Sequence, residues 1–261
     1  MGASEKAIKA FAEELFNAER NRLQIEPLTD RQKDFSVDDA YMVQLENVKR
    51  ALGMGHVVSG KKIGLTSPGI QKQLGVSEPD YGHLFAAMNC AGGKVRTEEL
   101  IQPKIEAELA FILKKDLAGG KVTSADVRTA TDYVAGAFEI VDSRVLDWRI
   151  KLPDTVADNA SSGRYIIGEK RISASEADFS SITMKLYKGN ELVGEGSGAA
   201  VLGDPCLAVA WLANCLWKYG VTLAAGEVIL SGAFSAAPPA AKGDAFAAEF
   251  SSLGRVEAIF V

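Results

Sequence analysis

The stretch Lys104-Ile-Glu-Ala-Glu-Leu-Ala-Phe-Ile-Leu113 alternates apolar and acidic residues, then turns wholly apolar. Ile105, Ala107, Leu109 and Phe111 recur with the period of a strand that has one face in a core. Glu106 and Glu108 therefore share the opposite face. Neighbouring carboxylates repel, and burying them is costly unless a cation or a shared proton compensates. A third acid, Glu139, interrupts the apolar run Ala135 to Val141, AGAFEIV. Three oxygen donors suit Mg²⁺ or Mn²⁺ and leave positions open on an octahedral ion. An amphipathic strand with its acidic face in water has the same pattern, so spacing alone leaves both readings open.

Outward from this strand, the chain divides into two regions. Residues 1–56 read as helical. Ala7, Ala10, Phe11, Ala12 and Leu15 have helical spacing, and IEPLTDRQKDF then breaks the pattern at a proline. Ser36 and Asp39 form a capping-box-like start for a helix carrying Ala40, Val43, Leu45 and Val48 toward Gly53. Residues 57–261 read as a β-rich catalytic domain. VVSGKKIGLT is a strand, Thr123 caps a helix over TSADVRTATDYV, and Gly189-Asn190 turns a hairpin. Asp204-Pro205 opens an apolar helix closed by Gly220, and EVILSGAF, AFAAEF and RVEAIFV are strands. The class is α+β.

Composition narrows the chemistry. A formal net charge of −5 without a Lys/Arg cluster argues against nucleic acid as a partner. No apolar run reaches membrane-spanning length and no signal-peptide core opens the chain, so a cytoplasmic protein is expected. Three cysteines without metal-type spacing cannot all pair, which fits a reducing compartment. Two histidines, His56 and His83, exclude a His-rich zinc site and leave few ways to build a Ser-His-Asp triad. Carboxylates, lysines and a metal must carry any catalysis.

Three further segments offer such groups. In GKKIGLTSPG, Lys61 and Lys62 point to opposite faces of a strand, and Lys62 shares its face with Gly64, which leaves room beside it. Both lysines solvated is the plainer alternative. In EPDYGHL, Asp80 is a turn former or a general acid/base at a pocket rim. DTVADNASSGRY reads as a polar loop able to present hydroxyls and N–H groups to a carboxylate, or as an ordinary Asx/Ser turn.

Taken in order, GKKIGLTSPGIQKQLGVSEPDYGHLF, IQPKIEAELAFIL, FEIVDSR, DWRIKLPDTVADNASSG, GAAVLGDP, VAWLAN and AGEVILSGAF resemble the 2-keto-4-pentenoate hydratase family of the fumarylacetoacetate hydrolase superfamily. The resemblance implies a mixed β-roll of the fumarylacetoacetase C-terminal type, preceded by N-terminal helices. It implies Glu106, Glu108 and Glu139 as ligands of Mg²⁺ or Mn²⁺, with Lys62, Asp80 and Ser161 lining the substrate site. The implied reaction is hydration of 2-hydroxypenta-2,4-dienoate to 4-hydroxy-2-oxopentanoate in aromatic meta-cleavage catabolism. A homo-oligomer is implied too, and a complex with a sister enzyme of the route is compatible with it.

The related 4-oxalocrotonate decarboxylases are the alternative. Asp80 in PDYG looks hydratase-like, since decarboxylases tend to carry an apolar residue there. The small-residue run SGAFSAAPPAAKGD and Arg164 in SSGRY lean the other way, with Arg164 a candidate for a second substrate carboxylate or a surface residue. A non-catalytic partner subunit would be expected not to bind Mn²⁺. A C–C bond hydrolase is disfavoured by the shortage of histidine.

Overall fold

The computed structural model describes residues 2–175 and 177–261, the side chains at 70, 73 and 74 excepted. Helix α1 (Glu5–Asn21) is capped by Ser4 and buries Ile8, Ala12, Leu15 and Ala18. Phe11 is half-buried, whereas Ala10 is exposed, so the buried stripe lies slightly round from the expected one. Pro27 opens the single turn α2 (Leu28–Arg31). At α3 (Val37–Gly53) the capping box is complete: Asp39 N–H donates to Ser36 Oγ and Ser36 N–H donates to Asp39 Oδ2. The expected core position Leu45 is 44% exposed. It falls one residue out of phase with the buried stripe Ala40, Val43, Gln44 and Val48.

The body follows as β1 (Val58–Gly64), α4 (Pro68–Leu74), β2 (Asp80–Phe85), β3 (Lys94–Val95) and β4 (Pro103–Leu113). Next come α5 (Ser124–Ala130), β5 (Thr131–Asp142), α6 (Leu152–Ala157), β6 (Ser162–Ile172), β7 (Thr183–Lys188) and β8 (Glu191–Ser197). Helix α7 (Pro205–Trp217), β9 (Val228–Leu230), β10 (Ala245–Phe250) and β11 (Gly254–Phe260) complete it. The class is α+β, as expected. A six-stranded sheet runs β2-β1-β9-β4-β5-β6 and a five-stranded sheet runs β3-β11-β10-β7-β8. Both are mixed, with β1 parallel to β9 and β11 parallel to β3 among antiparallel pairs.

Two elements end earlier than their sequence patterns. The helix capped by Thr123 stops at Ala130, and TDYV joins β5, where the β-branched Val134 sits in the core. Only Val228–Leu230 of EVILSGAF pairs as a strand, with β1 on one side and β4 on the other. The stretch Gly198–Trp217 does reach membrane-spanning length by composition, 20 residues, contrary to the sequence expectation. Its helix proper, α7, has 13 residues and buries Cys206, Val209, Leu212 and Leu216 in the main core. It is a core helix of ordinary length.

The six-stranded sheet has two different faces, and alternation assigns them. Ile105, Leu109, Phe111, Phe138, Ile140 and Ile166 go into the main core with the five-stranded sheet and α7. Two glycines make that contact possible. A Cβ on Gly136 would lie 2.7 Å from the Phe250 ring, and one on Gly168 would lie 2.8 Å from Val256 Cγ2. The opposite face carries Glu106, Glu108 and Glu139. The N-terminal helices pack against α6, sharing a core of Leu15, Leu28, Val43 and Val156. Asp154 fixes this packing by accepting from Thr29 N–H and Oγ1 at 3.0 and 2.8 Å. Filling the inter-sheet gap by Gly136→Val is expected to destabilise by about 1–3 kcal/mol. Urea unfolding should show a lower midpoint.

Candidate active site

Strands β4 and β5 place Glu106 directly opposite Glu139, with Glu108 two residues along the same face. One oxygen from each of the three lies within 4.8 Å of the others. A single divalent ion with metal–oxygen distances of about 2.1–2.5 Å can span that separation. Glu108 and Glu139 are fully buried and Glu106 is half-buried, so the cluster has a closed end and an open end. Glu108 Oε2 accepts from Gly232 N–H at 2.8 Å. Glu108 Oε1 and both oxygens of Glu139 have no hydrogen-bond partner. Buried carboxylate oxygens without donors suit the ligands of a cation. The wet-strand alternative is thereby removed: this acidic face is enclosed.

Strand β1 brings Lys62 to the same face, paired across to Gly82 on β2 and Leu230 on β9. Its Nζ lies 3.3 Å from Glu139 Oε1. Burial works against the ammonium, but Glu139, then Asp80, Glu106 and Glu108, outweigh it and hold the group protonated. Burial is also the main reason the three glutamates are hard to ionise. It raises Glu106, raises Glu108 well above the carboxylate range with help from Glu139 and Glu106, and moves Glu139 to about 8. Lys62 offsets part of this and a cation would offset the rest.

Lys61 points to the reverse face, as alternation requires, but it is not in water. Its Nζ bonds both oxygens of Glu227, at 2.7 and 2.8 Å, in a buried ion pair.

Asp80 is not in a turn. It begins β2, is 2% exposed, and sits opposite Gly64. A Cβ on Gly64 would lie 2.2 Å from Asp80 Oδ1 and 3.4 Å from Lys62 Nζ, so the glycine leaves the space these two groups occupy. Asp80 Oδ1 has no hydrogen-bond partner, and Thr155 Oγ1 lies 3.5 Å from Oδ2. Burial raises the Asp80 carboxyl, with Lys62 and then Thr155 opposing.

The expected polar loop DTVADNASSGRY is more ordered than a loop. Its first half is α6, with Pro153 in the first turn and Lys151 N–H donating to Asp154 Oδ2 at 2.9 Å. Its middle is a turn in which Asn159, Ala160 and Ser161 all have left-handed backbone, φ 55°, 50° and 53°. Three consecutive non-glycine residues there carry about 1–3 kcal/mol of strain each. Ser161 is buried, with Oγ 3.4 Å from Thr155 Oγ1.

The strained turn is clamped by Arg144, which the sequence reading did not single out. Its Nε pairs with Asp158 Oδ1, Nη2 donates to Asp158 O at 2.5 Å, and Nη1 donates to Asp142 O and Ser162 O at 2.6 and 2.9 Å. Burial opposes the guanidinium charge and the Asp158 carboxylate outweighs it. Thr155 was hidden too, because DTVADN looked like a loop. The signals available were Pro153 near a helix start and an arginine closing the buried strand FEIVD.

Arg164 is not brought to this face. It pairs across to Ile140, one residue from Glu139, so its side chain leaves on the reverse face, where Nη2 bonds Glu99 Oε2 at 3.0 Å. A surface depression of about 690 Å³, lined by residues including Lys115, Gly119 and Lys121, contains none of the clustered groups.

Residues 78–261 match the fumarylacetoacetate (FAA) hydrolase C-terminal family. The chain belongs to that family. A 2-hydroxypent-2,4-dienoate hydratase of Pseudomonas putida is 47% identical over 216 residues, covering 82% of this chain and 97% of the relative. A 2-hydroxyhexa-2,4-dienoate hydratase of Comamonas testosteroni is 45% identical over 242 residues, 92% of each chain. The 4-oxalocrotonate decarboxylase of Pseudomonas putida G7, solved with magnesium and adipate, has TM-score 0.96 and 38% identity over 99% of each chain.

Replacing Arg144 by alanine strands the buried Asp158 carboxylate and frees the strained turn. The expected loss is about 3–5 kcal/mol, the cost of breaking a buried ion pair. Urea denaturation checks it, and Arg144→Lys should recover only part, since a lysine cannot reach four acceptors in a planar fork.

Proposed function

We propose that this chain is a metal-dependent hydratase that adds water to 2-hydroxypenta-2,4-dienoate and yields 4-hydroxy-2-oxopentanoate. One observation carries the reading: a buried lysine and a buried aspartate stand beside three clustered carboxylates, two of them with partnerless oxygens, on one sheet face. The 45–47% identical relatives with dienoate hydratase names support this substrate class.

Glu106, Glu108 and Glu139 would hold Mg²⁺ or Mn²⁺, and such an ion supplies Lewis acidity at the 2-oxygen of a 2-oxo acid. Lys62, kept cationic by its acidic neighbours, stabilises negative charge on the substrate's carboxylate and 2-oxygen. Hydration moves the 2-hydroxyl proton to C5, adds the hydroxyl of a water at C4, and passes that water's remaining proton to C3. Asp80 is the candidate to hold and move these protons, because burial keeps its carboxyl above the ordinary range and one oxygen is free. Ser161 and Thr155 orient Asp80 or the substrate carboxylate through their hydroxyls.

A second reading, the 4-oxalocrotonate decarboxylase, is favoured by the 38% identical structure. It needs a cation for the second carboxylate of its substrate. In this chain Arg164 is directed away and engaged by Glu99, and a polar Asp80 stands where an apolar residue would be expected. Hydration therefore takes precedence. The reading also holds a cytoplasmic homo-oligomer, able to pair with a sister enzyme of the route. Three free cysteines support the compartment.

Loss of the dienol absorbance of 2-hydroxypentadienoate is expected in Mg²⁺, absent in EDTA, and restored by added Mg²⁺ or Mn²⁺. Glu106→Ala and Glu108→Gln should each lose about a thousandfold in turnover, the several kcal/mol that Lewis-acid stabilisation supplies. Normal activity in either variant sinks the ligand assignment. Asp80→Asn should bind Mn²⁺ normally yet turn over slowly. Incubation with oxalocrotonate should release no CO₂; rapid release would transfer the assignment to the decarboxylase.

A further inference from the structure

Strand β2 is an edge strand of the six-stranded sheet, paired only with β1. Its outer backbone groups need partners from elsewhere. Two side chains supply them. Asn159 of the strained turn takes both outer groups of His83: His83 N–H donates to Asn159 Oδ1 at 2.8 Å, and Asn159 Nδ2 donates to His83 O at 2.9 Å. Gln44, reaching in from α3, takes the carbonyl of Tyr81 at 3.0 Å.

Gln44 does more than cover an edge. The same Nε2 donates to Val156 O on α6 at 2.9 Å. Tyr81 adjoins Asp80, and Val156 adjoins Thr155. One amide group therefore bridges the chain beside the aspartate to the chain beside its hydroxyl neighbour. Gln44 is 1% exposed, and its oxygen is occupied too, 3.1 Å from His83 Nδ1. Because the amide hydrogens go to carbonyls, the oxygen must accept and His83 Nδ1 must carry the hydrogen. Burial, then Lys61, pushes His83 down to about 4, so the imidazole stays neutral and this arrangement holds at neutral pH. Tyr41, one turn earlier on α3, stacks on Tyr81 with ring centroids 4.6 Å apart.

We propose that Gln44 is a positioning residue for the catalytic site, holding the backbone beside Asp80 and the backbone beside Thr155 at one separation. The N-terminal helices thereby complete a site whose other groups lie on the β-rich body. Gln44 lies outside the residues that match the family, 78–261. The proposal rests on the reading of Asp80 as the proton-moving group. A shift of about 1 Å between catalytic groups can cost a hundredfold in rate, so a residue that sets their spacing acts on kcat.

The test compares full-length Gln44→Met with the wild type. Methionine fills the space and makes none of the bonds. Amide hydrogen exchange is expected to rise together in residues 80–83 and 155–161, with β4 and β5 unchanged. The kcat on whichever substrate the wild type consumes should fall about tenfold to a hundredfold, with KM and Mn²⁺ affinity within about twofold. Val48→Ala, which loosens the next turn of the same helix face and leaves the Gln44 amide and its partners in place, should keep the wild-type kcat. Gln44→Glu is the second variant should Gln44→Met fail to fold: it keeps an acceptor for His83 and loses both donors, with the same outcome expected. Unchanged exchange in the two segments overturns the proposal. So does wild-type kcat in a Gln44 variant, or an equal loss in Val48→Ala. If the wild type consumes neither dienoate nor oxalocrotonate, the functional reading fails, and hydrogen exchange alone still decides whether Gln44 holds the two segments.

Discussion

A lysine ammonium enclosed among carboxylates is the constraint on which this structure turns. Lys62 lies 3.3 Å from Glu139 and shares a buried face with Glu106, Glu108 and Asp80. One cation cannot balance four acids, and the interior is a poor solvent for the remainder. The fold accepts this because the rest of the sheet is built for it. The reverse face supplies most of the apolar core, and Gly136 and Gly168 let the second sheet close on it. The charged face can then be specialised without weakening the packing that holds the strands in register.

The register carries the geometry of the site. Glu106 faces Glu139, and Lys62 faces Gly82 and Leu230, through ladder pairs that fix each Cα independently of side-chain choice. A slip of one residue in β4 would send both glutamates into the apolar core, so the hydrophobic pattern protects the site it does not belong to. Where the ladder ends, side chains take over. The outer edge of β2 is closed by Asn159 and Gln44, and the turn that supplies Asn159 is held in left-handed backbone by Arg144. The site is thus rigid on the sheet side and pinned by discrete hydrogen bonds on the other.

What could be read from the sequence follows the same division. The glutamate strand, the hairpin at Gly189-Asn190, the Ser36 and Thr123 caps and the Asp204-Pro205 helix start were legible because each is a local pattern of period, turn or cap. Asp80 looked like a turn former because Pro-Asp-x-Gly says so locally, and only pairing with β1 makes it strand. DTVADN looked like a loop because Asp and Asn dominate it, yet Asp154 is a helix cap and Asp158 an ion-pair partner. Gln44 was invisible: its bond to Val156 spans 112 residues, and no local signal marks a polar residue on a helix as buried.

Hydration and decarboxylation can share this charged face, since both profit from electron withdrawal at the 2-oxygen. The difference must lie in what surrounds the far end of the substrate. Hydration needs a group that can move a proton there. Decarboxylation needs that end to receive a second carboxylate, the group that departs as CO₂. On the proposed reading, the buried Asp80, with one oxygen lacking a hydrogen-bond partner, would meet the first need. Whether it holds or has released its proton, that aspartate offers no positive charge to a second carboxylate. Arg164, tied to Glu99 on the reverse face, supplies no such charge from β6 either. On the proposed reading of Asp80, the group that would move the proton for hydration also makes the site a poor host for the dicarboxylic substrate of the sister reaction.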